Sequence, residues 1–171
     1  LEARGHHVAL ITDERGSRLP GKPHSLAAHQ LPAGRLGKNP LHWPKGIGAI
    51  LEGKRMALRL FESFEPSAVI GFGGYPAFPA LWAATSAGVP SVIHEQNAVL
   101  GRVNRFLAGR VDAIATSYRD IERLKPKHAG KVHLVGNPVR AEVLALRDAP
   151  FPAFSEDGLL RVFVTGGSQG A

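Results

Sequence analysis

The sequence predicts an α/β fold built on a Rossmann-like parallel sheet, and three observations carry that prediction. Short apolar runs alternate with segments of helical period, the pattern of parallel strands covered by helices on both faces. Four of these runs end in turns rich in glycine or in hydrogen-bonding side chains, where the crevice of such a sheet takes its ligands. The 171 residues, 44% hydrophobic and 20% charged, suffice for one such domain with its own core.

Leu1 to Arg4 reads as the last turn of a helix that began upstream, with Gly5 as its C-cap. His7 to Thr12 is a short strand of the buried type. Residues 13–46 are irregular and rich in Gly, Pro and His, with one strand near Ser25 to Leu31. Ile47, Ile50, Leu51, Met56, Leu58, Leu60 and Phe61 partly follow helical spacing, which predicts a helix over 47–64 that Pro66 ends. Ala68 to Ile70 is a strand running into the glycine turn at 71–76. Phe78 to Ala87 is a helix with Gly88 at its C-cap, Ser91 to Ile93 a strand, and His94 to Gly101 a loop. Arg102 to Ala108 is a helix and Val111 to Thr116 a strand. A short helix near Asp120 to Leu124 leads to a strand from Lys131 to Val135. Arg140 to Arg147 reads as a helix, 148–158 as a linker and Arg161 to Thr165 as a final strand. The lack of a starting methionine and the stop directly after a glycine turn make both ends read as cuts.

Composition excludes several classes. There is no cysteine, hence no disulfide framework and no thiolate metal site. No run of 18 apolar residues is present to form a spanning helix, and the first residues lack the apolar stretch of a signal peptide. The formal net charge of +7 asks for an anionic partner or describes a solvated basic surface. The charges are spread along the chain without a basic block, which argues against a nucleic-acid module.

The chemistry sits in the turns. Gly71-Phe72-Gly73-Gly74-Tyr75-Pro76 joins a strand to a helix, where glycines let backbone N–H groups approach an anion and the helix terminus adds partial positive charge. It is not the G-x-G-x-x-G of a dinucleotide site, because Pro76 stands at the third glycine. A tight turn without a ligand remains the alternative. Gly166-Gly167-Ser168-Gln169-Gly170 offers the same chemistry, with the Ser168 hydroxyl as a further donor and without the Lys of a Walker A loop. His94-Glu95-Gln96-Asn97 places four hydrogen-bonding side chains after a strand. Position 98 is alanine, so the H-E-x-x-H zinc motif fails, and His94 beside Glu95 is left for acid–base work or for orienting the loop. In Gly136-Asn137-Pro138-Val139-Arg140 the arginine in a first helical turn opposes the helix dipole, a misfit that favours a role in binding diphosphate. Leu41, Trp43, Lys45, Ile47, Ile50, Leu51, Lys54 and Arg55 mix apolar and basic groups, as an anionic membrane surface requires, or else pack inward with snorkelling charges.

Four stretches in this order, GFGGYPAFPA (71–80), IHEQNAVLGRVNR (93–105), VGNPVR (135–140) and GGSQGA (166–171), closely resemble the MurG family of lipid I N-acetylglucosaminyltransferases. The resemblance runs over the whole chain and is loosest between 13 and 60. It implies the N-terminal domain of a GT-B glycosyltransferase, two Rossmann-like domains facing across a cleft. The implied reaction carries N-acetylglucosamine from its UDP donor to the C4 hydroxyl of lipid I, with inversion, at the cytoplasmic face of the bacterial inner membrane. The implied partners are UDP-N-acetylglucosamine, lipid I and an anionic membrane surface, with no nucleic acid, cofactor or metal. By motif position Asn97, Arg140 and Ser168 correspond to donor contacts, and Gly73, Gly74, Tyr75, His94, Glu95 and Gln96 to the acceptor side. Residues 1–158 then form the acceptor domain and 159–171 the start of the donor domain or an interdomain segment. The family's first glycine loop, with its proposed base, and the whole donor domain fall outside these 171 residues, so the chain by itself is expected to lack transferase activity. The rival readings are another GT-B transferase with a lipid acceptor and a basic polyanion-binding module.

Overall fold

A computed structural model describes residues 1–14, 26–34, 43–150 and 162–163. It divides into two compact units, Leu1–Asn137 and Pro138–Ala171.

The first unit opens with a 3-10 turn at Glu2–Arg4, closed by Gly5 in the left-handed region at φ 81°. Strand β1 (Ala9–Thr12) pairs in parallel with β2 (Ala27–Gln30), Ala9 opposite Ala27 and Thr12 opposite Gln30. Helix α1 (Trp43–Phe64) follows, then β3 (Val69–Gly71), α2 (Gly74–Ala87), β4 (Ser91–Glu95), α3 (Arg102–Leu107), β5 (Ala113–Thr116) and β6 (Val132–Leu134). Strands β3 to β6 form one parallel sheet in sequence order. Sequential parallel strands joined by right-handed crossovers put their connecting helices on one side. Accordingly α2 and α3 close a core of Leu81, Ile93, Leu100, Leu107, Val111 and Ile114. On the opposite side Ile70 and Phe72 stay half-exposed, so helix cover, expected on both faces, is seen on one face among the described residues.

Helices α1 and α2 pack against each other through small residues. Ala57 meets Ala80, Ala83 and Ala84, with Phe61 and Leu31 closing a second core. A Cβ on Gly53 would stand 2.1 Å from the Pro32 carbonyl oxygen, which is why that turn of α1 carries no side chain.

Several boundaries depart from the sequence reading, each for a physical reason. Helix α1 starts at Trp43 and α2 at Gly74, four residues earlier than the periodicity indicates. Pro44 and Pro76 lie in first turns, where a missing N–H removes no helical hydrogen bond. Strand β4 continues through His94 and Glu95, which pair with Ala115 and Thr116; both therefore belong to the sheet and not to the following loop. No helix forms at 120–124. The Glu122 amide donates to the Ala98 carbonyl at 2.8 Å and the Leu100 amide to the Glu122 carbonyl at 3.0 Å, so this backbone is satisfied by the 98–100 loop. A 3-10 helix at Pro126–Lys131 precedes β6 instead.

The second unit contains α4 (Ala141–Leu144), whose Val143 and Leu144 are exposed. Most of the expected 148–158 linker and Arg161–Thr165 strand lies outside the described residues, as does the turn bearing Ser168. Val162 and Phe163 are described, and both are exposed without regular structure.

Candidate functional site at the carboxyl edge of the sheet

All four strands of the larger sheet deliver their carboxyl ends to one edge, and the segments that follow are tied together there. After β3, Gly73 (φ 77°) and Gly74 (φ 75°) occupy the left-handed region that favours glycine. A Cβ on Gly73 would make only ordinary contacts, the nearest at 3.5 Å to Asn104 Nδ2, so the backbone angle and not space demands glycine. Gly73 is the N-cap of α2 and supplies no side-chain capping bond. The terminus of this 14-residue helix therefore presents first-turn N–H groups and partial positive charge at the crevice.

Glu95, at the end of β4, is 2% exposed. Its Oε1 accepts from the Asn97 amide at 3.1 Å and from Asn97 Nδ2 at 2.9 Å. Its Oε2 accepts from the Gly101 amide at 2.8 Å and from Asn104 Nδ2 at 2.9 Å. Burial pushes this carboxyl group up, but the hydrogen bonds from Gly101, Asn104 and Asn97 outweigh it and hold the group below its ordinary value of 4.5. The carboxylate is ionised and its acceptor positions are taken. It anchors the 96–101 loop.

His94 is 4% exposed, and its Nε2 lies 2.9 Å from the Gly136 carbonyl oxygen. A carbonyl can only accept, so Nε2 donates to it; Nδ1 is buried without a hydrogen-bond partner. The ring packs against Phe72, with centroids 5.5 Å apart. Of the two readings open to His94 and Glu95, acid–base work or orienting the loop, these bonds favour the second: the carboxylate oxygens and the ring Nε2 are engaged by Asn97, Gly101, Asn104 and Gly136. His94 pins the turn at Gly136 (φ 76°).

The neighbours complete the lacing. Gln96 Nε2 donates to the Phe72 carbonyl at 3.0 Å, linking the β4 loop to the β3 turn. The Ser117 amide donates to the Glu95 carbonyl at 3.0 Å, and its hydroxyl bonds the Asn137 side chain. Asn97 is exposed, its side-chain amide oriented by Glu95. The edge thus brings together Gly73, Gly74, His94, Glu95, Gln96 and Asn97. Arg140 belongs to the second unit, exposed at the N-cap of α4 (φ −63°, ψ 146°) and so one step outside the first helical turn expected for it. Ser168 lies outside the described residues.

Tyr75 lines a groove of about 320 Å³ between α1, α2 and α3, walled by Ile47, Ile50, Leu51, Phe78, Trp82 and Phe106, with Arg102 at its side. Trp43, Ile47 and Leu51 recur every four residues along α1 and are half-exposed, with Lys45 and Arg55 exposed on the same helix. Ile50 departs from the expected surface patch. It is 7% exposed because it shares the inward stripe of Gly46, Gly53, Ala57 and Phe61. The Lys54 ammonium stands 4.4 Å from the Trp82 ring centroid, and Arg55 pairs with Glu52 at 3.3 Å. Leu41 lies outside the described residues. Among the described residues, no helix is long and apolar enough to cross a membrane, and no group of three His, Asp or Glu could hold a metal ion.

Sequence reasoning missed Asn104, Ser117 and Asn137 as parts of this network. Asn104 had a readable signal: a polar residue four after Leu100 and three and four before Leu107 and Ala108, the spacing of an inward helical face. Ser117 and Asn137 meet only through the sheet, and spacing carries no trace of that.

Residues 1–116 match the Glycosyltransferase family 28 N-terminal domain. Over all 171 residues the chain is 71% identical to the UDP-N-acetylglucosamine–N-acetylmuramyl-(pentapeptide) pyrophosphoryl-undecaprenol N-acetylglucosamine transferase of Erythrobacter litoralis, covering 43% of that protein. It is 72% identical to the protein of the same name from Novosphingobium aromaticivorans, covering 44% of it. The chain thus spans less than half the length of these relatives. The crystal structure of Acinetobacter baumannii MurG superimposes with a TM-score of 0.61 at 28% identity, over 82% of this chain and 40% of that one.

Proposed function

The chain belongs to glycosyltransferase family 28, and from that premise we propose that the protein containing it transfers N-acetylglucosamine from UDP-N-acetylglucosamine to lipid I. The observation that carries this reading within the chain is the convergence of the Gly73–Gly74 turn, the α2 N-terminus and the Glu95-anchored loop at one sheet edge. A helix N-terminus opening on a glycine turn suits the diphosphate of the lipid acceptor. Asn97, with Arg140 and Ser168, serves the UDP-sugar donor. His94, Glu95 and Gln96 support the acceptor side by shaping backbone, not by touching protons in flight.

The sugar's C4 hydroxyl attacks the anomeric carbon, the bond to UDP breaks and the configuration inverts. The base for the hydroxyl proton comes from outside these 171 residues, and so does most of the donor site. Residues 1–158 are the acceptor domain on this reading, and 159–171 are the start of the donor domain or an interdomain segment. The exposed Trp43–Ile47–Leu51 stripe with Lys45 and Arg55 holds the protein peripherally on the anionic cytoplasmic face of the inner membrane.

Titrating the full-length protein with a soluble lipid I analogue, followed by backbone NMR, tests the division of labour. Shifts at 71–75 and 94–96 with the acceptor, and at Asn97 with UDP-N-acetylglucosamine, are expected. Donor binding without any acceptor response at 71–75 overturns the reading. The 171-residue chain alone is expected to turn over no lipid I, and turnover by it would contradict the proposed split.

A further inference from the structure

We propose that Asn104 is a positioning residue for the donor: it fixes Glu95, and Glu95 in turn presents Asn97. The inference rests on the reading that Asn97 contacts the sugar nucleotide.

Asn104 is 2% exposed on α3. Its Nδ2 donates to Glu95 Oε2 at 2.9 Å and reaches the His94 carbonyl at 3.4 Å. Its Oδ1 is buried with no partner. An apolar residue would fill the same place without stranding an acceptor, so packing does not account for an amide here. What the amide supplies is a donor aimed at one oxygen of a buried carboxylate.

That donor matters because the terminal torsion of a glutamate is soft and broadly populated. With Oε2 held by Asn104 and the Gly101 amide, the carboxylate plane is fixed, and Oε1 meets both the backbone and the side chain of Asn97. Without Asn104, Oε2 keeps the Gly101 amide alone. Oε1 keeps its two bonds from Asn97, so the carboxylate is loosened and not freed, and Asn97 loses part of its fixed bearing. Asn104 Nδ2 also lies 3.5 Å from where a Cβ on Gly73 would stand, so the same amide abuts the glycine turn.

The test uses the full-length protein with Asn104→Ala, Asn104→Asp and Asn97→Ala. Loss of one charge-assisted hydrogen bond predicts that Asn104→Ala raises KM for UDP-N-acetylglucosamine about tenfold while kcat changes less. Combined with Asn97→Ala it adds nothing further to donor KM, because both changes break one linkage. Asn104→Asp sets a second carboxylate against Glu95. A proton shared by the pair restores the bond in acid, so donor KM falls toward wild type as pH is lowered, a fall that the wild type, which loses the Glu95 anchor in acid, does not show. Additive effects on donor KM, or a pH-independent Asn104→Asp, overturn the proposal, and the aspartate variant supplies this readout even where the alanine variant does not fold.

Amide exchange at Asn97 and Gly101, measured without substrate, separates the two layers of the inference. Faster exchange there together with raised donor KM supports the proposal. Unchanged exchange overturns the clamp itself. Faster exchange with unchanged donor KM leaves the clamp standing and overturns the donor role of Asn97.

Discussion

Replacing Trp43, Ile47 and Leu51 together by serine should release the protein from anionic membranes by about two orders of magnitude in partition. These side chains retain 45%, 45% and 46% of their accessible surface. Burying such a side chain completely stabilises by about 1.5–3 kcal/mol, so each has roughly 1 kcal/mol left to gain at a lipid interface. Three together give about 3 kcal/mol, or about a hundredfold, and Leu51→Ser alone about fivefold. Raising the salt should weaken wild-type binding as well, through screening of Lys45 and Arg55. The assay is co-sedimentation of full-length protein with phosphatidylglycerol vesicles, with circular dichroism to verify folding. A folded triple variant that binds as tightly as the wild type would refute the argument, because the stripe would then face something other than lipid.

Two further substitutions test the sheet edge. Glu95→Gln turns a side-chain NH2 toward two of the four donors and should cost about 2–4 kcal/mol in denaturant unfolding of this region. Because the Glu95 carboxyl is held below its ordinary 4.5, its contribution is present above that value and is lost as pH falls through the folded-state pKa. The gap between wild type and Glu95→Gln should therefore narrow on acidification below about pH 4.5, and a gap that widens would be incompatible with an anchored carboxylate. Gly73→Ala, with room for a methyl but at φ 77° and ψ −177°, a backbone region essentially reserved for glycine, should cost about 1–3 kcal/mol of backbone strain. By contrast Gly48→Ala, in exposed helix with nothing within 4 Å, should stabilise by up to about 1 kcal/mol. Thermal melts that rank these two glycines the other way would contradict the account of the turn.

Much of the fold is legible because parallel strands buried against helices write themselves as apolar runs. Val69–Ile70, Val92–Ile93 and Ala113–Ile114 are all found in strands. Legibility fails where pairing, not hydropathy, sets the structure. His94 and Glu95 look like loop residues because they are polar, yet β5 pairs with both. Residues 120–124 look helical, but their backbone bonds run to a loop more than twenty positions back. Prolines 76 and 79 hide the start of α2, since a proline in or near a first turn resembles a breaker. At the site, the locations of the turns could be read and their division of labour could not. A buried glutamate with four donors and an exposed catalytic glutamate are the same letter in a sequence. Ile50 shows the converse, where two apolar stripes overlap on α1 and only packing tells which one faces inward.

The most direct test of the central claim is the full-length protein incubated with UDP-N-acetylglucosamine and a soluble lipid I analogue, with the linkage of the product determined by NMR. The account predicts release of UDP and a β-linked N-acetylglucosamine on the C4 hydroxyl of the muramoyl sugar. No transfer to that acceptor, or a product that retains the donor's anomeric configuration, would contradict it.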